Sequence, residues 1–536
     1  MNRDSAGHCQ GAVSIPLASD GQVGHRGHRS SSARVLFVGL PWREGSFAQD
    51  LLQSLMNAQP SLEIVAATTP APERFRELKS LSSIEFLQKD DFELLECILR
   101  LNEKHKVRVS RELLERHYRT EYTYLSISDR RCLTGLPVYK RRDAFRQLLA
   151  YWYHFLVSRQ IDSVVVLGYP HAGWNNVLVD VAMELSLKVV LLDFTSIDGT
   201  TLVADMTRLH EPVPKDRYSH LPFDQIREAI PSELLERTSR PASGLDFVGK
   251  MRRDVQSPSR FSSYYFLAAG LLRNPLRRRR PSIARLSGDL TQFSMTMRSF
   301  EARQRISNFA TRYEAMATKQ PDLGKRYVYL PLHMQPERST TPCGGVFEDQ
   351  LLVAEILSAS LPDGWILYVK EHSSQFWQKR AIKQAMHRDH DFYRRLAALP
   401  NTELVSLGCH SLDLIQHAMI VATVTGTAGW EALLEHKPCI VFGKPWYLGC
   451  NASFGVSSIE ECTASISQAS TMSAHQVDRD VLEFLLHYSD RILPIPFLPK
   501  KTAEQKEDYW EHTNRLATAV SSTFSHVEQN WISGAQ

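Results

Sequence analysis

The chain has little excess charge of either sign, no long apolar run and no closely spaced pair of cysteines. Its 63 Lys and Arg against 59 Asp and Glu leave a formal net charge of +4 over 536 residues, which is too weak for a dedicated nucleic-acid binder. No stretch approaches the roughly 18 apolar residues that a membrane-spanning helix needs. The sequence therefore predicts no nucleic-acid partner and no helix that crosses a membrane.

The eight cysteines are irregularly spaced, and none belongs to a CxxC motif. This pattern argues against a zinc site and a disulfide framework, and it favours a reducing, cytoplasmic location. Residues 1–32 are rich in Ser, Gly and His and lack the apolar segment of a secretion signal. Because Gly and Ser separate His8, His25 and His28, the sequence favours a disordered tail over a metal-binding tract for these residues.

From Arg34 onward, short β-branched runs alternate with segments of helical period, a pattern typical of βα units around a mainly parallel sheet. The predicted strands are 34–40, 62–68, 163–170 and 188–194 in the first half, and 326–332, 365–370, 402–407, 419–424 and 439–443 in the second half. The predicted organisation is a tail (1–32), a Rossmann-like domain with a helical insertion (33–205), an irregular helical linker region (206–320), a second Rossmann-like domain (321–475) and a C-terminal helical segment (476–536).

The segment 261–280 in the predicted linker couples a mostly apolar and aromatic stretch to five arginines. One interpretation is a helix on an anionic membrane surface, with its basic end on lipid headgroups. The alternative is a core helix that is followed by a solvated run of charge.

Polar residues follow three predicted strands of the second half, where parallel sheets bind ligands. His333, Gln335 and Glu337 follow the first of these strands. After the next strand comes Lys370-Glu371-His372, in which Lys370 and His372 share one side of an extended chain and could both donate to a phosphate. A buried histidine with satisfied hydrogen bonds is the alternative for this cluster.

The third cluster is TGTAGWE at 425–431, a small turn that opens into a predicted helix. Unpaired amides at the start of a helix form an anion site, to which Thr425 and Thr427 add hydroxyls. Gly426 permits close approach of the backbone, and Glu431 could accept hydrogen bonds from ribose hydroxyls. The alternative is an ordinary βα turn with Thr as the N-cap.

These motifs resemble the bacterial capsule polysaccharide biosynthesis family, which includes Kdo transferases that build capsule lipid linkers. The resemblance rests on HMQPERST at 333–340, VKEH at 369–372 and TGTAGWEALLEHKPCIVFGKPWY at 425–447, and it covers roughly 322–460. It implies a GT-B-like α/β fold, in which two Rossmann-like domains face each other across a cleft and the second domain holds most of the nucleotide-sugar donor. It also implies a donor such as CMP-Kdo and a lipid or glycan acceptor.

Carried over by position, the resemblance makes His372 a ligand of the cytidine monophosphate and makes Thr425, Gly426 and Thr427 ligands of its phosphate. Ser373 stands where the family has proline, which leaves the identity of the donor open. The other residues that match motif positions are His333, Gln335, Glu337, Lys370, Glu371 and Glu431.

Three residues of the first half are candidates for the catalytic base or nucleophile: His171, Asp193 and Asp198, each at or just beyond a strand end. A histidine can accept the proton of an acceptor hydroxyl near neutral pH. Asp198-Gly199 is similar to an acidic-Gly pair in related Kdo transferases. In the alternative interpretation, Asp193 caps a turn and His171 orients its loop.

The GT-B resemblance implies no metal, because helix amides and basic side chains can replace a cation. Two DxD strings, at 389–391 and 478–480, are interpreted as solvated faces of helices. The function favoured is transfer of a sugar to a lipid or glycan acceptor at the cytoplasmic face of the inner membrane. The alternatives are a GT-B-like sugar-nucleotide epimerase or hydrolase and a noncatalytic partner in capsule assembly or export.

Overall fold

A computed structural model describes residues 33–41, 47–102, 109–130, 136–238, 292–376, 381–499 and 506–532. The chain divides by its internal contacts into two units. The first unit comprises the residues up to Asp193, Leu202–Met206 and those from Ile495 onward, and the second comprises Phe194–Thr201 and Thr207–Pro494. The predicted tail and the segment 261–280 lie outside the described residues.

The first half of the chain forms six strands and seven helices within the described ranges. In chain order these are β1 (Ala33–Val38), α1 (Phe47–Ala58), β2 (Leu62–Thr69), α2 (Pro72–Arg76), β3 (Glu85–Gln88), α3 (Leu95–Ile98), α4 (Arg111–Arg116), α5 (Tyr118–Arg130), α6 (Val138–Ser158), β4 (Ser163–Leu167), α7 (Trp174–Glu184), β5 (Lys188–Phe194) and β6 (Thr201–Asp205). Short 3₁₀ turns at Lys79–Leu81 and Lys89–Phe92 flank β3.

The second half begins with helices and continues with alternating strands and helices. The elements are α8 (Phe223–Ala229), α9 (Ser232–Thr238), α10 (Gln292–Met316), β7 (Tyr327–Pro331), α11 (Gln350–Ser360), β8 (Ile366–Lys370), α12 (Ala381–Gln384), α13 (His390–Ala397), β9 (Thr402–Val405), α14 (Ser411–His417), β10 (Ile420–Thr423), α15 (Thr427–Leu434), β11 (Cys439–Val441), β12 (Ser453–Gly455), α16 (Ile459–Ala469), α17 (Ala474–His487), β13 (Ile492–Leu493) and α18 (Lys506–Ile532). Two further 3₁₀ turns span Gly345–Glu348 and Ser373–Phe376.

The first sheet has the strand order β13-β6-β5-β4-β1-β2-β3. Its pairings from β5 through β4, β1 and β2 to β3 are all parallel. Val35 to Val38 of β1 are completely buried, which explains why the strand is a continuous apolar run without alternating polar residues. The last helix, α18, returns to this unit and packs on α1, where Tyr509 donates to Asp50 at 2.7 Å.

The second sheet has the order β12-β11-β10-β7-β8-β9, and every neighbouring pair is parallel. Alternate residues of β7 enter two cores: Val328 and Leu330 lie in one, and Tyr327 and Tyr329 lie in the other. The period of two in a strand produces this division, so both faces of the sheet are covered. The GT-B-like α/β class expected from the resemblance is confirmed at the level of two units built on mainly parallel sheets.

All nine predicted strands are present; eight lie within two residues of their predicted bounds, and β4 ends three residues before its predicted end. The structure adds β3, β6, β12 and β13, which are five residues or shorter. The predicted domain boundaries themselves stay predictions. Across the described ranges, no helix is both long enough and apolar enough to span a bilayer.

Candidate functional site

The second sheet brings the three predicted polar clusters to one edge. Strands β10, β7 and β8 are neighbours and run parallel, so their carboxyl ends lie side by side. We refer to residues 332–341, 371–376 and 423–431, which follow these ends, as the second-sheet edge. Hydrogen bonds connect residues that follow one strand to residues that follow its neighbours.

His333 links the end of β7 to the end of β10. Its Nε2 lies 3.0 Å from Oγ1 of Thr423 and accepts the backbone N–H groups of Val424 at 3.2 Å and Thr425 at 3.4 Å. Its backbone N–H donates to Oε1 of Gln350 at 2.6 Å. The imidazole is therefore part of the framework of the edge as well as a candidate ligand.

The same contacts determine the tautomer of His333. Because Nε2 accepts two backbone N–H groups, the proton of the neutral ring lies on Nδ1. Burial, with smaller contributions from His372 and Arg388, lowers the pKa of His333 to about 3. The ring is thus a neutral donor through Nδ1 over the whole physiological range of pH.

The turn from Thr423 to Thr427 packs closely on His333. Thr423 accepts the N–H of Gly426 at 3.0 Å through its hydroxyl, and Gly426 is the N-cap of α15 without a side-chain cap bond. A Cβ at residue 426 would lie 2.9 Å from Cε1 of His333 and 2.9 Å from Oγ1 of Thr423. Glycine is therefore required for the close packing here, and the alternative of a Thr N-cap is not what the structure shows.

Thr425, Thr427 and Glu431 have partners within the edge. Thr425 donates to the carbonyl of Ser339 at 2.6 Å, and Thr427 donates to Oε1 of Glu431 at 2.9 Å. Glu431 lies four residues after Thr427, just beyond the first turn of α15. The hydroxyl of Tyr447 donates to the carbonyl of Gly426, which is a further contact that holds the turn in place.

Lys370 and Glu371 are buried and bound to protein groups. Lys370 donates through Nζ to the carbonyl of Cys409 at 2.5 Å and to Oγ of Ser411 at 2.9 Å. Glu371 forms an ion pair with Arg388 at 2.8 Å and accepts the hydroxyl of Tyr393 at 2.9 Å. These contacts favour a structural role for Glu371, and for Lys370 a structural role over direct donation to a phosphate.

Gln335 is also buried and occupied by protein contacts. Its side-chain amide donates to the carbonyl of Glu348 at 2.6 Å, and its Oε1 accepts from Arg388. Its backbone N–H donates to Oε1 of Gln375 at 2.7 Å. Glu337 is half-buried, and its carbonyl accepts the N–H groups of the following turn, including that of Thr341 at 2.9 Å.

His372 is half-buried at the start of the 3₁₀ turn Ser373–Phe376. Its Nδ1 accepts the N–H of Ser374 at 3.1 Å, so the neutral ring carries its proton on Nε2. The N–H of Gln375 donates to the carbonyl of His372 at 2.8 Å. These bonds close the turn without the proline that the family has at residue 373.

The first-half candidates lie in two different units. His171 and Asp193 belong to the first unit, whereas Asp198 belongs to the second. Nδ1 of His171 donates to the carbonyl of Tyr169 at 2.7 Å, which leaves the lone pair of the neutral ring on Nε2, as a general base requires. Asp193 is buried near the end of β5. We refer to residues 168–173 together with Asp193 as the first-sheet edge.

Asp198 is exposed on the loop between β5 and β6, and the segment Phe194–Thr201 that contains this loop packs within the second unit. Arg237 donates to the carbonyl of Gly199 at 3.3 Å, and Trp446 donates through Nε1 to Oγ of Ser196 at 3.2 Å. The guanidinium of Arg338 lies 4.6 Å from the ring centre of Phe194. Arg338 of the second-sheet edge and Trp446 of the segment KPWY (444–447) therefore contact residues just before Asp198 in the chain.

Sequence reasoning missed four residues that organise the second-sheet edge: Thr423, Gln375, Arg388 and Tyr447. Three of these lie outside the quoted strand-end clusters, and their roles depend on partners far away in the sequence. The first DxD string is solvated, as its sequence suggests: Asp389 and Asp391 are both exposed, and Asp389 is also the N-cap of α13 and accepts the N–H of Phe392 at 2.8 Å. Asp478 and Asp480 are half-buried, and burial raises the pKa of Asp480 to about 6.

No group of three or more His, Cys, Asp or Glu side chains within the described ranges is arranged to hold a metal ion.

The three motifs of the second-sheet edge lie in a segment that matches a known family. Residues 301–472 match the model of the capsule polysaccharide biosynthesis protein family. The family resemblance of this segment is thereby confirmed. A search of the curated proteins finds no match.

Several solved structures are similar to the chain at low identity. The beta Kdo 2,7 transferase KpsC of Thermosulfurimonas dismutans is 13% identical, with 58% of this chain and 78% of that chain covered and a TM-score of 0.24. The UDP-GlcNAc 2-epimerase of Methanocaldococcus jannaschii is 12% identical, with coverages of 85% and 99% and a TM-score of 0.22. The spinosyn rhamnosyltransferase SpnG is 12% identical, with coverages of 87% and 97% and a TM-score of 0.23. At TM-scores this low, these likenesses do not bear on the reaction of this chain.

Proposed function

We propose that the protein is a glycosyltransferase of capsule or surface polysaccharide biosynthesis, which transfers a sugar from a nucleotide donor to a lipid or glycan acceptor. The donor that we propose is CMP-Kdo. The observation that carries the proposal is the bonding of His333 to Val424 and Thr425, which joins two motif segments of the matched family at the start of α15.

The donor set of the second-sheet edge suits a nucleotide phosphate. The N–H groups at the start of α15 supply donors at a helix N-terminus, where the helix dipole favours an anion, and the hydroxyl of Thr427, which donates to Glu431 in this structure, can rotate to donate to a phosphate. His333 and His372 add neutral N–H donors through Nδ1 and Nε2. Such donors are already oriented before the ligand arrives, so they can stabilise the charge that develops on a departing phosphate.

Transfer requires one proton to move and one glycosidic bond to change partner. An acceptor hydroxyl oxygen bonds to the anomeric carbon, the bond from that carbon to the CMP phosphate oxygen breaks, and the hydroxyl proton goes to a base. We assign the base to His171, because its Nε2 carries the lone pair of the neutral ring. Asp193 and Asp198 stay as the alternative candidates. The proposed reaction uses no metal, since helix amides and imidazole donors can take the place of a cation.

A lipid acceptor would place the reaction at the cytoplasmic face of the inner membrane. The basic and aromatic segment 261–280 is the part of the chain that we propose for peripheral contact with this membrane.

Calorimetric titration with CMP, UDP, GDP and ADP tests the site. We expect CMP to bind most tightly, and we expect His372→Ala and Thr427→Ala each to weaken its binding by about tenfold or more. His417→Ala and Thr463→Ala are matched controls, because both side chains are exposed on other helices of the same unit. Equal affinity for all four nucleotides, or no effect of the two site variants, contradicts the proposed site.

A transfer assay with CMP-Kdo and extracted lipid tests the reaction. Product on the acceptor supports the transferase. Preference for UDP and a changed sugar without any acceptor would instead identify an epimerase or hydrolase. A protein that shows neither activity and binds none of the nucleotides would be a noncatalytic assembly or export partner.

A further inference from the structure

Arg388 is a buried arginine that does not belong to any of the three sequence motifs. It precedes Asp389, the N-cap of α13, and 1% of its side chain is exposed. Its ion-pair partner Glu371 has a completely buried side chain. A buried guanidinium requires acceptors for its five N–H groups, so the contacts of Arg388 show what it holds in place.

The guanidinium bonds to both segments that follow β7 and β8. Nε donates to Oε2 of Glu371 at 2.8 Å, Nη1 donates to Oε1 of Gln335, and Nη2 donates to the carbonyl of His333 at 3.3 Å. Cζ of the guanidinium also lies 4.2 Å from the ring centre of Phe392. Only arginine has a planar fork that reaches three acceptors on two segments at once.

The contacts of Arg388 extend to the third segment of the edge through His333. Arg388 holds the carbonyl of His333, while the ring of the same residue accepts the N–H groups of Val424 and Thr425. On the other side, Glu371 accepts the N–H of His372 at 2.8 Å. Arg388 is therefore connected to the backbone of His333 by one hydrogen bond, and to the backbone of His372 by two successive contacts through Glu371.

We propose that Arg388 is a positioning residue for the nucleotide site, which sets His333 and His372 at the spacing that a nucleotide phosphate requires. This inference rests on the proposed function, and it extends that function to a residue outside the motifs. Arg388 does not touch the ligand. It acts by fixing the segments after β7 and β8 relative to the turn after β10.

Arg479 provides a matched control in the same unit. Its Nε pairs with the buried Glu483 at 2.8 Å, and its Nη2 donates to the carbonyls of Tyr218 at 2.9 Å and Leu221 at 3.0 Å. It thus combines a buried glutamate with backbone carbonyls, as Arg388 does, but its partners lie outside the second-sheet edge. Replacement of either arginine by lysine keeps the charge and removes the fork.

Amide hydrogen exchange on the full-length protein tests the positioning role without any ligand. We expect Arg388→Lys to increase exchange in peptides that cover 332–341, 371–376 and 423–428, and we expect Arg479→Lys to leave these peptides as in the wild type. Unchanged exchange in all three peptides of Arg388→Lys overturns the proposal. So does an equal increase in Arg479→Lys.

Nucleotide binding tests the consequence for the site. Calorimetry with CMP should show about tenfold or greater loss of affinity for Arg388→Lys, a size typical of residues that orient a ligand set. The double variant Glu371→Gln with Arg388→Met removes both buried charges, so its unfolding midpoint should recover relative to Arg388→Met alone. Its affinity for CMP should stay low, because the three segments are no longer tied together.

Wild-type affinity in either Arg388→Lys or the double variant would show that the ion pair contributes to stability alone and would overturn the inference. If the wild type binds none of the four nucleotides, the proposed function fails. The exchange experiment then decides the positioning role by itself.

Discussion

The edges of the two sheets differ in how their histidines are bound. At the second-sheet edge, His333 and His372 accept backbone N–H groups, so each neutral ring presents a donor. At the first-sheet edge, His171 donates to a backbone carbonyl, so its neutral ring presents a lone pair. Because a backbone partner selects the tautomer, the same residue type suits anion binding at one edge and proton acceptance at the other.

The second-sheet edge also contains polar side chains that bind other protein groups and are not candidate ligands. Lys370, Glu371 and Gln335 are buried at the second-sheet edge, where they bind protein groups. A dense polar cluster after a strand therefore contains both candidate ligands and the residues that hold them. The comparison predicts that variants at the first-sheet edge change the rate, while those at the second change affinity and stability.

The largest expected effect is at His171. His171→Gln should lower the rate of transfer from CMP-Kdo by about 10²- to 10⁴-fold, the contribution typical of a general base, because glutamine cannot accept the proton. The affinity for CMP should stay within about twofold of the wild type, as calorimetry would measure. Wild-type turnover in this variant would remove His171 from the mechanism and leave Asp193 and Asp198 to be tested in the same way.

The next effect is on stability, at Glu371. Glu371→Ala leaves the guanidinium of Arg388 buried without its counter-charge, which should cost about 3–5 kcal/mol of unfolding free energy. Urea denaturation followed by tryptophan fluorescence measures this change. Asp391→Ala, which removes the exposed pair with Arg394, is the control and should leave the transition unchanged. A shift as small as that of the control would show that Glu371 is replaceable.

A smaller effect is expected from a single methyl group at Gly426. Gly426→Ala places Cβ against His333 and Thr423, and overpacking of this kind costs about 1–3 kcal/mol. We expect a loss of CMP affinity of about tenfold, since the turn must move away from His333. Gly408→Ala is the control, because its Cβ would meet only Oγ of Ser406 at 3.5 Å. Unaltered binding by the Gly426 variant would mean that the turn does not contact the nucleotide.

The last expected effect, the most gradual of the four, is the pH dependence of folding. Burial lowers the pKa of His333 to about 3 and that of His210 to about 4, so both are neutral in the folded protein and take up a proton on unfolding below about pH 6.5. Stability from these groups is complete above pH 6.5 and is lost as the pH falls towards these values, by about 2 kcal/mol per group between pH 6.5 and 5.

Thermal unfolding midpoints between pH 7 and 5 measure this slope. His333→Gln and His210→Gln should each flatten it, and the double variant should flatten it further. Slopes that match the wild type in all three variants would contradict the assigned protonation states.

The sequence was sufficient to predict five of the six strands of the second sheet and the edge at which its polar residues lie. Short β-branched and apolar runs locate the strand ends of this sheet within one or two residues, and parallel strands bring those ends together. The short strands β3, β6, β12 and β13 were missed, because two to five residues carry too little pattern to separate them from loops.

The sequence could not predict which residues of the edge are candidate ligands and which hold the edge together. Glu371 meets Arg388 across 17 residues, and His333 meets Val424 across 91. Local spacing contains no information about such partners, so Lys370 was predicted as a phosphate donor although its ammonium bonds to Cys409 and Ser411. Arg388 was overlooked because its neighbours Asp389 and Asp391 have the pattern of an exposed helix start.

The contact between Gly429 and Tyr447 has a consequence for related sequences. A Cβ at residue 429 would lie 2.3 Å from the Tyr447 hydroxyl oxygen and 2.9 Å from Cζ. Any larger residue at 429 therefore requires a smaller one at 447, and the hydrogen bond to the carbonyl of Gly426 is lost with the phenol. Among homologues that share this turn, the two positions should covary, with glycine and tyrosine present or absent together.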